Sequence, residues 1–147
     1  MVVRGVPVSY RLLPLGLSVE ELGGPGSDFF YRYHLTPWRW WPLRWRLYLH
    51  CFRQPDTSPP HDHPFSFVSL ILWGGYTEEV YARDSAAPGG WRCRLVRRRP
   101  GTGYRAPADY VHRIVRLHGR RCYTLMLKGP EVRGWRHYQE LLRVTAG

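Results

Sequence analysis

Three of the seven histidines have the spacing of a metal-binding site. His61 and His63 stand two positions apart, and on an extended backbone positions i and i+2 point to the same face. A third imidazole, His112, follows the Pro107-Ala108-Asp109 turn and opens a predicted strand. Neutral imidazole suits Fe, Zn, Cu and Ni, and three protein ligands leave positions open for water, oxygen or substrate. Taken alone, the His-x-His spacing also occurs by chance in surface loops.

Short strands are the elements that must position these histidines. The chain has 15 Gly and 13 Pro, and such punctuation between alternating apolar segments is typical of a sandwich or barrel. The segment 65–73 has apolar side chains at both odd and even positions, so both faces of a strand here would be apolar. This pattern predicts a strand buried between two layers. Further strands are predicted at 29–34, 43–52, 76–82, 91–98, 111–117 and 122–128, with a candidate at 134–138 and a short helix at 139–143.

The length bounds the domain organisation. With 147 residues and 17.3 kDa, the chain is expected to be one domain, residues 1–147, with its motif-bearing core at 43–138. Residues 1–28 are expected to be an irregular N-terminal segment, with one helical turn capped at Ser18 and a loop at Gly23-Gly24-Pro25-Gly26. No segment approaches the ~20 apolar residues that span a bilayer, and no secretory signal is visible, so a soluble cytoplasmic protein is expected.

The chain is strongly basic. Lys and Arg number 22 against 11 Asp and Glu, and Lys128 is the only lysine. A basic surface attracts phosphates, carboxylates or nucleic acid, although the same composition also suits an arginine-rich, solvated surface. Arg92, Arg94 and Arg98 share one parity of their predicted strand. The three cysteines are far apart and form no CxxC pair, so neither a disulfide framework nor a zinc ribbon is supported.

Two gapped motifs give the chain a family resemblance. The segment His61-x-His63-x10-Gly74 resembles the first cupin motif, and Gly101-x5-Pro107-x4-His112 resembles the second. Together they span Pro55 to Arg116, in the order that cupins have. The resemblance implies an all-β double-stranded β-helix, the cupin or jelly-roll barrel, with a divalent metal held inside by His61, His63 and His112.

The motifs also depart from the cupin pattern. Phe67 and Val68 stand where the usual carboxylate ligand would fall, Pro55 replaces the opening glycine, and Asp109 and Arg116 replace the glycine and asparagine of the second motif. The remaining three-histidine face resembles the thiol dioxygenase branch, which implies ferrous iron, with Zn, Mn, Ni or Cu as alternatives. Three neutral ligands leave the full charge of the ion in place, so an anionic substrate can coordinate without repulsion.

Five other residues are candidates for the site. Glu78 or Glu79 could replace the missing carboxylate, since alternation turns only one of them inward; either could equally be a solvent-exposed strand residue. His50 either orients a ligand by a hydrogen bond or is a core histidine. Tyr104 and Arg105 could contact a substrate carboxylate or phosphate, or simply lie on a strand in water.

These observations predict a function with two alternatives. The first prediction is a non-haem Fe(II) dioxygenase-like oxidoreductase that brings a small anionic substrate and O₂ together at the metal. A 2-oxoglutarate oxygenase is a lesser alternative: Arg120 or Arg121 could hold the cosubstrate, but His63 stands where that class has a carboxylate.

The other alternative is a protein without catalytic activity. It could be a storage or ligand-sensing cupin, or a basic β-barrel module that binds nucleic acid. The nucleic-acid prediction uses two basic or aromatic segments: Trp38, Arg39, Trp40, Trp41, Arg44, Trp45 and Arg46, and the cluster Arg97, Arg98 and Arg99. No membrane partner is expected, and a homodimer is a family-level expectation only.

Overall fold

Two antiparallel β-sheets make up the computed structural model, which describes residues 2–3, 6–22, 30–36 and 44–146. The larger sheet has eight strands in the order β1-β2-β3-β4-β5-β11-β6-β9, and the smaller has the order β10-β7-β8. The strands are β1 Val2–Val3, β2 Val6–Leu12, β3 Ser18–Leu22, β4 Phe30–His34, β5 Arg46–Phe52, β6 Phe67–Trp73, β7 Tyr76–Arg83, β8 Trp91–Arg98, β9 Gly103–Ala106, β10 Val111–Leu117 and β11 Cys122–Lys128.

Helical structure is confined to short turns in the described residues. Three 3-10 segments occur, at Pro14–Gly16, Pro88–Gly90 and Gln139–Arg143. The predicted short helix at 139–143 is therefore present, as a 3-10 helix. No helix in the described part of the chain is long and apolar enough to cross a membrane.

The middle of the large sheet is the part that carries the site. β11 pairs with β5 on one side and with β6 on the other, and β6 in turn pairs with β9. The inward side chains of β6 are Phe67, Ser69 and Ile71, all of which are buried. Val68 and Leu70 point outward and are exposed. The prediction that this strand is buried on both faces is therefore wrong, because no second layer covers its outer face among the described residues.

Aromatic side chains fill the space between the two sheets. One cluster, at the β6 end nearer the histidines, consists of Tyr48, Phe65, Phe67, Ala106 and Met126. A second, at the opposite end, joins Ile71, Tyr76, Ile114 and Cys122. Burial of apolar area on this scale is the main driving force that holds the sheets face to face.

The N-terminal part is more regular than predicted. Most of the residues described between 6 and 22 form β2 and β3, and Ser18 begins a strand instead of capping a helical turn. β3 pairs along its length with both β2 and β4. Cross-strand pairing on both sides outweighs the local capping pattern, since propensity is a weak signal where neighbours supply hydrogen bonds. The predicted loop at 23–26 lies outside the described residues.

Glycines set the turn between β6 and β7. Gly74 and Gly75 have φ of +81° and +90°, values that side-chain-bearing residues rarely adopt. A Cβ on Gly74 would overlap the backbone carbonyl oxygen of Arg121. The turn therefore requires glycine for its conformation and for the close approach of the chain before β11.

Two further predictions concern the candidate strand at 134–138 and the Trp- and Arg-rich segment that begins at Trp38. Residues 134–138 form no strand, although His137 makes an isolated bridge to His61. Trp38, Arg39, Trp40, Trp41 and the predicted strand start at residue 43 lie outside the described residues.

Candidate metal centre

Backbone pairing brings His61 beside His112. The two residues exchange both main-chain hydrogen bonds, each with an N–O distance of 3.0 Å. In an antiparallel pair of this kind the side chains lie on the same face. His63 follows two positions after His61 and shares that face. The segment before β6 and the start of β10 therefore deliver all three imidazoles to one point.

The three rings form a nearly equilateral triangle. Their centroids are 5.3 Å apart for His61–His63, 5.3 Å for His61–His112 and 5.2 Å for His63–His112. One ligand nitrogen from each ring lies within 4.8 Å of the other two. The Nε2 atoms of His63 and His112 are 3.0 Å apart. Two ligands at right angles with metal–nitrogen bonds of about 2.1 Å are also about 3.0 Å apart.

Hydrogen bonds on the far nitrogens orient two of the rings. His112 Nδ1 lies 2.7 Å from Glu78 Oε2, and His61 Nδ1 lies 3.1 Å from the carbonyl oxygen of Pro59. Both acceptors require a proton on Nδ1, which leaves the Nε2 lone pair of each ring directed at the triangle. A carboxylate or carbonyl behind the imidazole is the usual arrangement at metal-binding histidines.

His63 is the ring whose far nitrogen has no such partner. Its Nδ1 is buried and makes no hydrogen bond to any described residue. Buried polar atoms without partners are uncommon and require an explanation. An ion at Nε2 would supply the interaction that orients this ring. The three residues therefore fit a metal ion in type and spacing, and His61 and His112 also fit it in tautomer.

Burial also favours the neutral form of His61 and His63. Burial lowers the pKa of His61, with a further contribution from the charge of His112. Burial lowers the pKa of His63 well below the ordinary value, again helped by His112 and His61. Neutral imidazole is the form that binds a metal. Two of the three ligands are therefore ready to bind at neutral pH.

Glu78 faces inward but is not a fourth ligand. Its side chain is fully buried and contacts Nδ1 of His112, the nitrogen that points away from the triangle. The expectation that this carboxylate replaces the missing ligand is wrong, because β7 places it behind His112. Arg98 Nε at 2.7 Å and the Tyr110 hydroxyl at 2.9 Å donate to its other oxygen.

The partners of Glu78 keep it ionised. Burial raises the pKa of this carboxyl. The hydrogen bond and charge of His112, together with the charge of Arg98, outweigh burial and lower the pKa. The neighbouring Glu79 lies on the opposite face of β7 and pairs with Arg113 at 2.7 Å. Alternation thus turns only one of the two glutamates inward, as predicted.

Aromatic rings surround the triangle. The His63 ring lies 4.8 Å from Trp135, 5.0 Å from Phe67 and 5.4 Å from Phe65, centroid to centroid. Tyr104 lines the same interior, 5.9 Å from Phe67. Its hydroxyl is 2.9 Å from that of Tyr76. These rings exclude water from one side of the site, and low dielectric strengthens the electrostatic interactions there.

Asp62 fastens the C-terminal segment over the site. It stands between His61 and His63 in the sequence, and its side chain is fully buried. It accepts hydrogen bonds from Arg133 at 2.8 Å and from the Tyr138 hydroxyl at 2.8 Å. The backbone N–H of Arg136 donates to it as well, at 3.0 Å. These bonds hold Trp135 against the histidine rings.

His50 lies inside the barrel but outside the triangle. Its ring packs against Phe30 at 4.9 Å, and its Nε2 accepts a hydrogen bond from Arg32 Nε at 3.3 Å. Burial lowers its pKa well below the ordinary value. Both His50 and Arg32 contribute to lowering the pKa of His63, which places them within electrostatic range of the site.

Arg105 does not reach the interior. It is exposed on β9, whose inward residues are Tyr104 and Ala106. The expectation that Arg105 binds substrate at the histidine site is therefore wrong, since alternation turns it to the outer face of the sheet. Two arginines of the described residues that do face the interior are Arg32 and Arg98.

Sequence reasoning missed Arg32, Arg98, Tyr110 and Trp135. Arg98 shares the parity of the exposed Arg92 and Arg94, and the sequence predicts a role for it only within the basic cluster with Arg97 and Arg99. A buried carboxylate requires a cation nearby, and that requirement is the signal that could have identified Arg98. Trp135 lies in a segment without regular structure, where no periodic pattern exists to follow.

Comparison with known proteins agrees with the fold. No family model matches the chain, and no curated protein matches it. Among solved structures, the polyketide cyclase RemF from Streptomyces resistomycificus matches with a TM-score of 0.56 and 19% identity, over 88% of this chain and 79% of that one. The iron(II) form of HppE matches with a TM-score of 0.57 and 12% identity, over 87% of this chain and 62% of that one.

A DMSP lyase, DddQ from Ruegeria pomeroyi DSS-3, matches with a TM-score of 0.53 and 19% identity, over 88% of this chain and 60% of that one. The chain spans 28% of the length of hazelnut vicilin and 53% of another DMSP lyase structure that also match. These neighbours have the cupin fold. The predicted all-β double-stranded β-helix is thus confirmed, while identities this low carry the fold alone.

Proposed function

We propose that this protein is a metal-dependent cupin enzyme that holds Fe(II) at His61, His63 and His112. The proposed activity is that of a dioxygenase-like oxidoreductase acting on a small anionic substrate. The observation that carries the proposal is the convergence of three imidazoles, two of them oriented through Nδ1, in an aromatic-lined interior.

The bound metal would supply Lewis acidity and, as iron, redox chemistry with O₂. The chain's own residues do the rest. The three imidazoles are neutral ligands, so they add no negative charge that would repel an anionic substrate. Glu78 holds the proton on His112 Nδ1, and its own charge is compensated by Arg98 at 2.7 Å.

The cation assigned to the substrate's anionic group is Arg32, which faces inward and whose charge contributes to lowering the pKa of His63. It lies between Glu20, at 2.8 Å, and His50, and its side chain is 22% exposed. A guanidinium binds carboxylate or phosphate by paired hydrogen bonds. The aromatic rings around His63 keep the reacting groups away from bulk water.

The fold neighbours support only the class of this chemistry. They include an oxalate oxidase and the iron(II) form of HppE, and those names describe the neighbours. Vicilin shares the fold too, so the fold by itself does not select an enzyme. The histidine geometry is what favours the enzyme.

The test begins with metal content. The protein is purified without a metal-affinity tag and analysed for bound metal beside the His61→Ala/His112→Ala double variant. We expect close to one metal ion per chain in the unaltered protein and none in the variant. His118→Gln serves as the control. His118 follows the C-terminal end of β10, whereas His112 lies near its start, so this variant loses an imidazole away from the site and is expected to retain the metal. Equal metal content in all three proteins would contradict the proposal.

The reaction class is tested separately. O₂ uptake is recorded for the iron-loaded protein with a panel of thiols and small carboxylic acids. We expect uptake with a member of this panel, and a higher KM for that substrate in the Arg32→Gln variant. A protein that binds metal at the triad but consumes no O₂ would contradict the dioxygenase activity and leave the metal site standing.

A further inference from the structure

A second concavity lies at the end of the barrel that the histidines do not occupy. It is open, has a volume of about 1150 Å³, and is formed where three turns meet, namely those at Gly74, Pro100 and Gly119. Ordinary small-molecule pockets occupy about 300–1,000 Å³. The concavity is therefore large enough for an extended ligand.

The strands separate this concavity from the metal site. His112 is near the start of β10, and His118, which lines the concavity, follows its end. Six residues of extended strand span about 20 Å. Likewise, His63 precedes β6, and Trp73 ends it. The two sites lie at opposite ends of the same strands, so this concavity is no extension of the histidine pocket.

Its lining is basic. Arg53, Arg120 and Arg121 line it together with His118, and the lining includes no Asp or Glu among the described residues. Burial lowers the pKa of His118, and the charges of Arg97, Arg116 and Arg99 lower it further. Six arginines thus contribute positive charge to this end of the barrel. Clustered guanidinium groups are the usual partners of phosphate.

The lining also offers exposed aromatic surface. Trp73 is 70% exposed, although it ends a strand whose other inward residues are buried. Tyr123 lies nearby and accepts a hydrogen bond from Arg121 at 3.5 Å. An exposed indole beside guanidinium groups is suited to stacking on a flat ring while the arginines hold an attached anion.

We propose that this concavity binds nucleotide units, with a base stacked on Trp73 and phosphates held by Arg120 and Arg121. The chemistry is that of a base joined to a phosphate, which either a free nucleotide or a single-stranded nucleic acid supplies. The proposal rests on the lining of the concavity and is independent of the metal site.

Binding is measured by fluorescence anisotropy with a short, fluorescein-labelled oligothymidylate across a range of salt concentrations. In the Trp73→Ala variant we expect the affinity to fall by about 5- to 150-fold, because stacking contributes about 1–3 kcal/mol per base. In Arg120→Ala/Arg121→Ala we expect the slope of log K against log salt to fall by about 1.4, or about 0.7 for each lost phosphate contact.

The matched control is Arg94→Ala/Arg105→Ala, which removes the same charge from exposed positions outside the concavity. We expect its affinity and salt slope to match those of the unaltered protein. Equal weakening by both arginine pairs, or no binding by the unaltered protein at low salt, would overturn the proposal. So would Trp73→Ala binding as tightly as the unaltered protein.

Competition then identifies the source of the ligand. Displacement of the probe by ATP at concentrations near the probe's own dissociation constant supports a free nucleotide. Displacement only by unlabelled single strands supports a nucleic acid. Displacement by duplex DNA as effectively as by single strands would overturn the stacking role, because paired bases do not expose their faces.

Discussion

At the scale of single residues, the hydrogen bond between Glu78 and His112 deserves the closest test. Glu78 is fully buried, and its two oxygens have different hydrogen-bond partners. One oxygen accepts a hydrogen bond from His112 Nδ1, and the other accepts hydrogen bonds from Arg98 and Tyr110. Such a carboxylate fixes the ring tautomer and raises the basicity of the opposite nitrogen. It positions a ligand without binding the metal.

The Glu78→Gln variant tests that role. Its amide oxygen can still accept from His112, but the negative charge is lost, so we expect metal affinity to fall by about 10- to 100-fold. The affinity is measured by competition with a chromophoric chelator. Glu79→Gln is the control: it removes the same charge from the other face of the same strand.

Glu79→Gln is expected to bind metal as the unaltered protein does. A circular dichroism spectrum of each variant checks that the fold is intact. Unchanged affinity in a folded Glu78→Gln protein would show that the carboxylate does not tune the ligand.

Sequence reasoning reached the residues of the site unevenly. His61, His63 and His112 could be brought together because two motifs give their spacing and their order. Glu78 could be placed inward only as one of two adjacent choices. Arg105 and Arg32 show why the rest failed: which arginine faces the interior depends on the register of β9 and β4, and local composition carries no information about register.

At the scale of elements, a charged cluster ties the first strands of the large sheet together. Glu20 on β3 accepts hydrogen bonds from Tyr10 on β2 at 2.9 Å and from Arg32 on β4 at 2.8 Å. His34, also on β4, lies 3.3 Å from the same carboxylate. Burial raises the pKa of Glu20, but His34, Arg32 and Tyr10 outweigh it and lower the pKa to about 2.

Stability should therefore depend on pH through Glu20. A carboxyl whose pKa is lower in the folded state stabilises the fold above its unfolded value of about 4.5. That contribution is lost as the pH falls from about 4.5 toward 2. Allowing for solvent screening, we expect the loss to be about 1–2 kcal/mol.

Urea unfolding at pH 7 and at pH 3 measures this effect in the metal-free protein. The Glu20→Gln variant should lose less unfolding free energy between the two pH values than the unaltered protein does. Glu131→Gln is the control, since its carboxylate is exposed and pairs with Lys128 at the surface. The same pH dependence in Glu20→Gln as in the unaltered protein would refute the prediction.

Strands were predictable where apolar residues are frequent and Gly or Pro marks an end of the strand. β8, β10 and β11 have the predicted bounds, since Gly or Pro lies close to at least one end of each. β2 and β3 were missed because they are defined by their pairing with neighbouring strands, which the local sequence does not show. β9, only four residues long, is too short for the sequence pattern to predict as a separate strand.

At the scale of the whole molecule, the metal would join the two sheets. His61 and His63 precede β6 of the large sheet, whereas His112 belongs to β10 of the small one. An ion shared by these residues bridges both layers and binds only the folded state. Ligands with that preference stabilise the fold by mass action.

We therefore expect metal to raise the thermal stability of the protein. At a free metal concentration about 100-fold above Kd, the stabilisation is about 2.7 kcal/mol. For a chain of this size that corresponds to a Tm increase of about 5–10 °C. Differential scanning calorimetry with and without metal, followed by a chelator, measures the shift and its reversal.

The His61→Ala/His112→Ala double variant should show no such shift. A Tm increase of the same size in this variant would mean that the ion stabilises the protein elsewhere. An unchanged Tm in the unaltered protein would mean that the two layers are not joined by a bound ion.

The bonds of Asp62 also have a consequence for the order of assembly. This carboxylate is joined to Arg136 and Tyr138, which follow it by 74 and 76 positions along the chain. A ribosome completes both histidine-bearing motifs before it adds the segment that Asp62 holds. The nascent chain thus carries its three imidazoles before the indole of Trp135 is added, so the aromatic wall beside His63 is completed only after both motifs have been made.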